Sequence, residues 1–146
     1  MKIELKIDST CTEPKVLIIT DKVTDDINGI LKMLSSNHPE SITGFYNELA
    51  VILFPSDIIR VYASGGKTYA SSEQKEYTIK QRLYELENLL IRHNFVRISK
   101  SEIVNLNEVR NFDLSLTGTI RVTLSDGTIT YVSRRYVSKI KQVLGL

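Results

Sequence analysis

Three turn signals, Gly65-Gly66, Thr117-Gly118 and Asp126-Gly127, punctuate the C-terminal two thirds of this chain and dictate its fold class. Each lies between short runs rich in β-branched and aromatic residues. Glycine supplies the positive φ that tight hairpin turns demand, so runs so divided fold as short antiparallel strands. The expected strands are 49–54, 58–64, 67–71, 75–78, 95–98, 103–106, 109–114, 119–124 and 129–132, the last three joined as a meander of hairpins. Gly44-Phe45-Tyr46-Asn47 reads as the turn into the first of them, and Pro55-Ser56-Asp57 breaks it. Two amphipathic segments interrupt the β pattern. Ile79, Leu83, Leu86 and Leu90 form one stripe that predicts a helix over 79–91, with Thr78 as N-cap and Lys80, Arg82, Glu85 and Glu87 on the solvated face. Val137, Ile140, Val143 and Leu144 predict a short C-terminal helix. The fold class is α+β, mainly β.

Residues 1–45 read as a small β/α segment. Ile3, Leu5 and Ile7 alternate with Lys2, Glu4 and Lys6, which predicts a half-buried strand. A second strand is expected at 16–19. Thr24 is placed as an N-cap, with Asp25 and Asp26 in the favoured first turn of a helix over 25–36 that carries Ile27, Ile30, Leu31 and Leu34. Asn37-His38-Pro39 then ends it, with His38 as a structural turn residue. The 37–44 turn is the candidate boundary between this segment and a domain over 46–146.

A chain of 146 residues at 42% hydrophobic and 25% charged suffices for one sizeable core without a disulfide or metal staple. One cysteine, Cys11, forms no internal disulfide and fits a reducing compartment. One Cys with two His, His38 and His93, is a poor zinc ligand set, so no metal is expected. No phosphate-loop, dinucleotide, nucleophile-elbow or zinc-protease motif is present, and neither an enzyme nor a cofactor is expected. No apolar run approaches a membrane span, and the start lacks a signal core, which points to the cytoplasm.

The net charge of +2 is unevenly spread. Residues 1–45 carry −2, residues 46–146 carry +4, and residues 92–146 alone carry +5. A segment biased in this way is a candidate for a polyanion partner. The basic residues fall in three clusters: Ser64-Gly65-Gly66-Lys67-Thr68-Tyr69, Arg97-Ile98-Ser99-Lys100-Ser101 and Ser133-Arg134-Arg135-Tyr136. Each joins long cationic donors to short hydroxyl donors. Arginine and lysine reach guanine O6 and N7, while serine and threonine reach phosphate oxygens. Unrelated polar loops would read the same way, and Ser133 would also serve as an N-cap for the last helix.

From about residue 54 to 146 the chain resembles the LytTR domain, the DNA-binding module of many bacterial response regulators. The carrying segments are FPSDIIRVYASGGKTY, TIKQRLYELENLL, FVRISKSEIVNLNEVRNF and LSDGTITYVSRRYVSKIK, the last two being the most specific. The resemblance implies an elongated sandwich of short antiparallel sheets with a few short helices. It implies that loops, not a recognition helix, enter successive major grooves of double-stranded DNA at repeated promoter elements. Matched residue by residue, the first-loop contact is Thr68 with Tyr69 beside it, the second is Lys100 and the third Arg135, with Ser101 and Ser133 as phosphate-contacting neighbours. The first loop departs from the family pattern, since threonine replaces a longer, histidine-type reader: either Lys67 substitutes or that base goes unread. Lysine at position 100, where an asparagine can occur, favours guanine or phosphate over adenine. Arg97 and Ser99 join the second cluster, and Arg134, Lys139 and Lys141 are further phosphate contacts.

The N-terminal segment is too short for a receiver domain, so the chain resembles the stand-alone group. Control is then expected from a partner or oligomer, not from phosphorylation, with a homodimer on DNA and a membrane-bound antagonist protein as the implied partners and no small-molecule substrate. Residues 1–45 are the candidate dimer or antagonist surface, against the alternative that their apolar faces pack on their own domain. The competing function is a protein-interaction module that takes up a partner by strand addition, and RNA binding is a lesser variant. Cys11, near a turn, is a candidate redox site as well as a candidate inert thiol.

Overall fold

The computed structural model describes residues 1–35, 40–73 and 75–146. The expected turn at 37–39, with His38, lies outside them. Two compact units emerge, one over 1–37 and one over 38–146.

The first unit contains helix α1 (Asp25–Ser35). Thr24 caps it as expected: the Ile27 N–H donates to Thr24 Oγ1 at 3.4 Å, and Asp25 and Asp26 occupy the first turn. The strands expected at 2–8 and 16–19 do not form among the described residues. Ile3, Leu5 and Ile7 are about nine-tenths exposed. A period-two pattern gives a strand only where a neighbouring strand accepts its hydrogen bonds, and none lies beside them in this unit.

The second unit is built on a seven-stranded antiparallel sheet of order β2-β1-β5-β4-β3-β7-β6. Its strands are β1 (Ile42–Tyr46), β2 (Leu49–Leu53), β3 (Arg60–Ser64), β4 (Lys67–Ser71), β5 (Glu76–Ile79), β6 (Phe95–Ser99) and β7 (Glu102–Asn105). A three-stranded meander, β8 (Val109–Asp113), β9 (Ile120–Leu124) and β10 (Ile129–Val132), forms a second sheet. Helix α2 (Leu83–Leu90) follows β5, and α3 (Arg134–Val143) closes the chain.

The Gly65-Gly66 turn joins β3 to β4 with φ of 58° and 77°, and Gly127 takes φ 88° between β9 and β10. Both turns lie where the sequence put them. The first hairpin differs. Residues 42–46 are a strand, not a turn, and the reversal is Asn47-Glu48, both at positive φ. Neither residue is glycine, so the signal was weak. Gly44 sits inside β1 because a Cβ there would lie 2.7 Å from Leu53 Cδ1 and 2.8 Å from Tyr77 Cβ.

The second amphipathic stripe is real but spans two elements. Ile79, Leu83, Leu86 and Leu90 all reach one core, yet Ile79 ends β5 and the helix begins only at Leu83. Thr78 is therefore a strand residue paired with Phe45 and Tyr69. Arg82 takes the N-cap position, and its N–H donates to Glu85 Oε1 at 3.2 Å.

Two cores flank the large sheet. On one face Val61, Ala70, Tyr77 and Ile103 pack under α2. On the other, Val96, Ile98 and Val104 pack against Ile120, Val122, Leu124 and Val132 of the second sheet and Ile140 of α3. Strand β7 belongs to both: all four of its residues are buried, and Ile103 and Val104 point to opposite cores. Buried Glu102 ties the layers, accepting from Arg60 Nη1 at 2.5 Å and from the Thr130 hydroxyl. Asn105 Nδ2 donates to the Ile58 carbonyl at 2.9 Å, so the other end of β7 is also anchored by a satisfied buried polar group.

Candidate nucleic-acid interface

Antiparallel pairing fixes which turns share an end of the sandwich. The β3–β4 turn, the β6–β7 turn and the β10–α3 junction lie at one end, and two backbone bonds join them. The Ala63 N–H donates to the Ser101 carbonyl at 2.8 Å, and the Ser133 N–H donates to the Ile98 carbonyl at 2.9 Å. The three basic clusters read from the sequence therefore adjoin.

The opposite end is acidic. Residues preceding β3 or following β4, β7 and β9 line a cleft of about 720 Å³ that includes Asp57, Glu73, Glu108 and Asp126 with one cation, Lys75. Charge is thus segregated along the strand direction. A polyanion is attracted to one end and repelled by the other.

Within the basic end, exposure and pairing separate two kinds of cation. Lys67, Lys100, Arg134, Arg135 and Lys139 are exposed and form no ion pair among the described residues. Lys141, further along α3, is also exposed and unpaired among them. Arg97 differs. Its side chain is only 15% exposed, its Nη1 lies 2.7 Å from Glu87 Oε2 of α2, and it donates to the carbonyls of Ser99 and Lys100. Its guanidinium is committed to holding the β6–β7 turn. Ser99 Oγ accepts the Ser101 N–H at 3.2 Å and closes that turn from inside. Ser101 and Lys100 remain on the surface.

The first turn has a similar division. Thr68 is 9% exposed and paired with Ala63 and Ile79, on the sheet face that packs under α2. Its side chain does not stand on the outer surface. Lys67 and Tyr69 point to the other face. The Tyr69 ring stacks on Tyr62 with centroids 5.2 Å apart, and the Tyr62 hydroxyl donates to Glu76. Burial and the Glu76 carboxylate push the Tyr62 phenol up to about 12, so it stays a neutral donor.

At the third cluster Ser133 occupies the N-cap position of α3, but its side chain makes no capping bond. The hydroxyl is left for another acceptor, beside helix N–H groups whose dipole favours an anion. Tyr136, Val137 and Ile140 face the core, which turns Arg135 and Lys139, four residues apart, outward. Arg134 leans over the β8–β9 loop: a methyl on Gly118 would sit 3.4 Å from Arg134 Nε. No local pattern announces this contact, because the two residues are sixteen positions apart in the chain. Glu87, which holds Arg97, lies on the helix face that the sequence pattern marks as solvated.

Among the described residues no group of three His, Cys, Asp or Glu is placed to hold a metal, and no helix is long and apolar enough to cross a membrane. Cys11 is exposed.

Comparison with known proteins agrees with this fold. The family model of the LytTr DNA-binding domain matches residues 49–145. A protein of Staphylococcus aureus strain NCTC 8325, described as an HTH-type transcriptional regulator, is 34% identical over all of this chain and 99% of its own. Its counterpart in strain MRSA252 is 33% identical over the same span. Among the described residues no two α-helices are consecutive elements, so the name of those relatives does not describe the fold seen here. A solved LytTr DNA-binding domain of a response regulator from Bacillus cereus superposes with a TM-score of 0.69 at 27% identity, over 73% of this chain and 97% of the other. The expected mainly β sandwich with short helices is therefore correct, and the chain belongs to the LytTr DNA-binding domain family.

Proposed function

We propose that this chain is a sequence-specific regulator of transcription that sets its basic turns into successive major grooves of double-stranded DNA. One observation carries the reading: three turns joined by backbone hydrogen bonds bring together the exposed cations Lys67, Lys100, Arg134 and Arg135, none of them in an ion pair among the described residues, while the more buried Arg60, Arg97 and Arg121 are all paired. Lys100 and Arg135 are the base readers. Lys67, with Tyr69 beside it, takes the place that the family pattern gives to Thr68, whose side chain is buried. Ser101, Ser133, Arg134, Lys139 and Lys141 hold phosphates. Arg97 and Ser99 shape the second turn.

Residues 46–146 act as the DNA-binding domain and residues 1–45 as a surface for a partner. Control comes through that partner, a membrane-bound antagonist in the reading the family suggests, or through a homodimer on repeated promoter elements. The site of action is the cytoplasm, and no catalysis is involved.

The test is titration of the protein into a fluorescent duplex from its own upstream region and into a random duplex, over a series of salt concentrations. The six cations of this end, Lys67, Lys100, Arg134, Arg135, Lys139 and Lys141, each displacing about one counterion, give a slope of log K against log salt near −5. The specific duplex should bind at least about a hundredfold more tightly, within the range of known specificity ratios. Alanine at Lys100 and Arg135 should abolish that preference. Its survival in the double variant would refute the assignment of readers.

A further inference from the structure

The large sheet ends on a strand that is not protected as a free edge usually is. Exposed edges are normally blunted by charge, bulges or a covering element. Strand β6, at the far edge, carries Arg97 and a bulge between Arg97 and Ser99, and Ile98 is covered by its bond from Ser133. Strand β8 carries Arg110 and a bulge. Strand β10 is tied to β7 through Thr130. Strand β2, Leu-Ala-Val-Ile-Leu, has no charge and a regular register along its whole length. Leu49 and Ile52 are 63% and 65% exposed, and Phe54 and Tyr46 flank them on the surface.

Its hydrogen-bond pattern is self-complementary. Tyr46 and Leu49 close a two-residue turn and so exchange bonds with each other. Alternation then turns the N–H and C=O of Val51 and Leu53 toward β1, and those of Ala50 and Ile52 outward. A two-fold axis at Val51 would set Ala50 opposite Ile52 of a second copy, and Ile52 opposite its Ala50. Both outward residues are satisfied, and Leu49 meets Leu53. The chain's own β2 matches this edge in length and, like it, carries no charge. The net charge of +2 gives little repulsion between copies.

We infer that β2 is a self-association edge, pairing antiparallel with β2 of a second copy to make one continuous fourteen-stranded sheet. A ladder of this length makes a small interface, so the dimer is weak. The inference does not depend on the DNA-binding reading, since association is measured without DNA.

Sedimentation equilibrium of the full chain at about 0.5 mM, the range in which small interfaces associate, tests it. The wild-type mass should approach twice 16.6 kDa. Ile52→Lys should return it to the single-chain value with unchanged circular dichroism and melting. Ala50→Pro removes one outward N–H, which an edge strand tolerates, and should do the same. Should either variant misfold, crosslinking decides. In a Cys11→Ser background, Val51→Cys should form a disulfide dimer under mild oxidation, because residues facing each other across non-hydrogen-bonded positions lie ~4.5 Å apart, within disulfide reach. Tyr131→Cys, exposed on β10, should not. A monomeric wild type overturns the inference. So do dimers that persist in Ile52→Lys, which would place the interface elsewhere, for instance in residues 1–37, and so does equal crosslinking at 51 and 131.

Discussion

Replacing Arg97 tests the proposed division between a residue that shapes the interface and one that touches DNA. In the structure its guanidinium holds Glu87 at 2.7 Å and the Ser99 carbonyl at 2.9 Å, and also bonds the Lys100 carbonyl. A hydrogen bond to a charged group is worth ~1.5–3 kcal/mol, and breaking a fully buried pair ~3–5 kcal/mol. The Glu87 side chain is 33% exposed, so water recovers part of its loss in Arg97→Ala. About 2–3 kcal/mol of folding stability should go, read by urea denaturation. Affinity for DNA should fall as well, because the Lys100 turn loses its support. The salt slope should stay unchanged, since no phosphate contact has been deleted. Lys100→Ala should show the reverse: near-wild-type stability and a slope shallower by about 0.9 if it holds a phosphate, or a selective loss on the specific duplex of about 1–3 kcal/mol if it reads a base. Arg97→Lys keeps the charge but loses the three-way geometry, and should resemble Arg97→Ala. A slope that drops by about 0.9 in Arg97→Ala with stability intact, or full rescue by lysine, would refute this account.

Three further perturbations follow from the fold. Gly44→Ala forces a methyl against Leu53 and Tyr77 in the core under α2, and should lower stability by ~1–3 kcal/mol in thermal or urea unfolding. Glu48→Gly relieves a non-glycine residue at φ 66° in a two-residue turn and should raise stability by ~0.5–1 kcal/mol, with DNA binding unaffected. The Tyr62 phenol, raised to about 12 from an ordinary 10, favours the fold fully below pH 10 and loses that contribution as pH rises toward 12. Ultraviolet titration should therefore show one late-ionising tyrosine, absent in Tyr62→Phe.

The parts legible in the sequence are those decided locally. Gly65-Gly66 and Asp126-Gly127 require positive φ wherever they occur, so the hairpins they close are in place. The strands over 95–132 lie within a residue or two of expectation for the same reason. Features decided by distant partners were not legible. Ile3, Leu5 and Ile7 alternate like a strand, but alternation cannot supply a neighbour. The stripe from Ile79 to Leu90 correctly marks residues that share a core, yet spacing alone cannot tell a strand end from a first helical turn. In the interface, exposure of Lys67, Lys100 and Arg135 was readable from residue type and turn position. The burial of Thr68 was not, because the face it takes is set by the register that the glycine turn imposes on β4. The Arg97–Glu87 pair joins a strand to a helix, and no pattern within either announces it.

Strand β7 lies between two cores, with Ile103 in one and Val104 in the other, and this limits how the interface can adapt. Moving Ile103 disturbs the layer under α2, and moving Val104 disturbs the layer under the small sheet. The Lys100-Ser101 turn is attached directly to that strand, so it cannot swing as a hinge without loosening both at once. Fitting to a duplex then falls to side-chain rotamers and to the DNA. On the proposed reading the protein acts as a rigid template, and sequences that bend toward it at little elastic cost should gain an advantage at positions no side chain reaches.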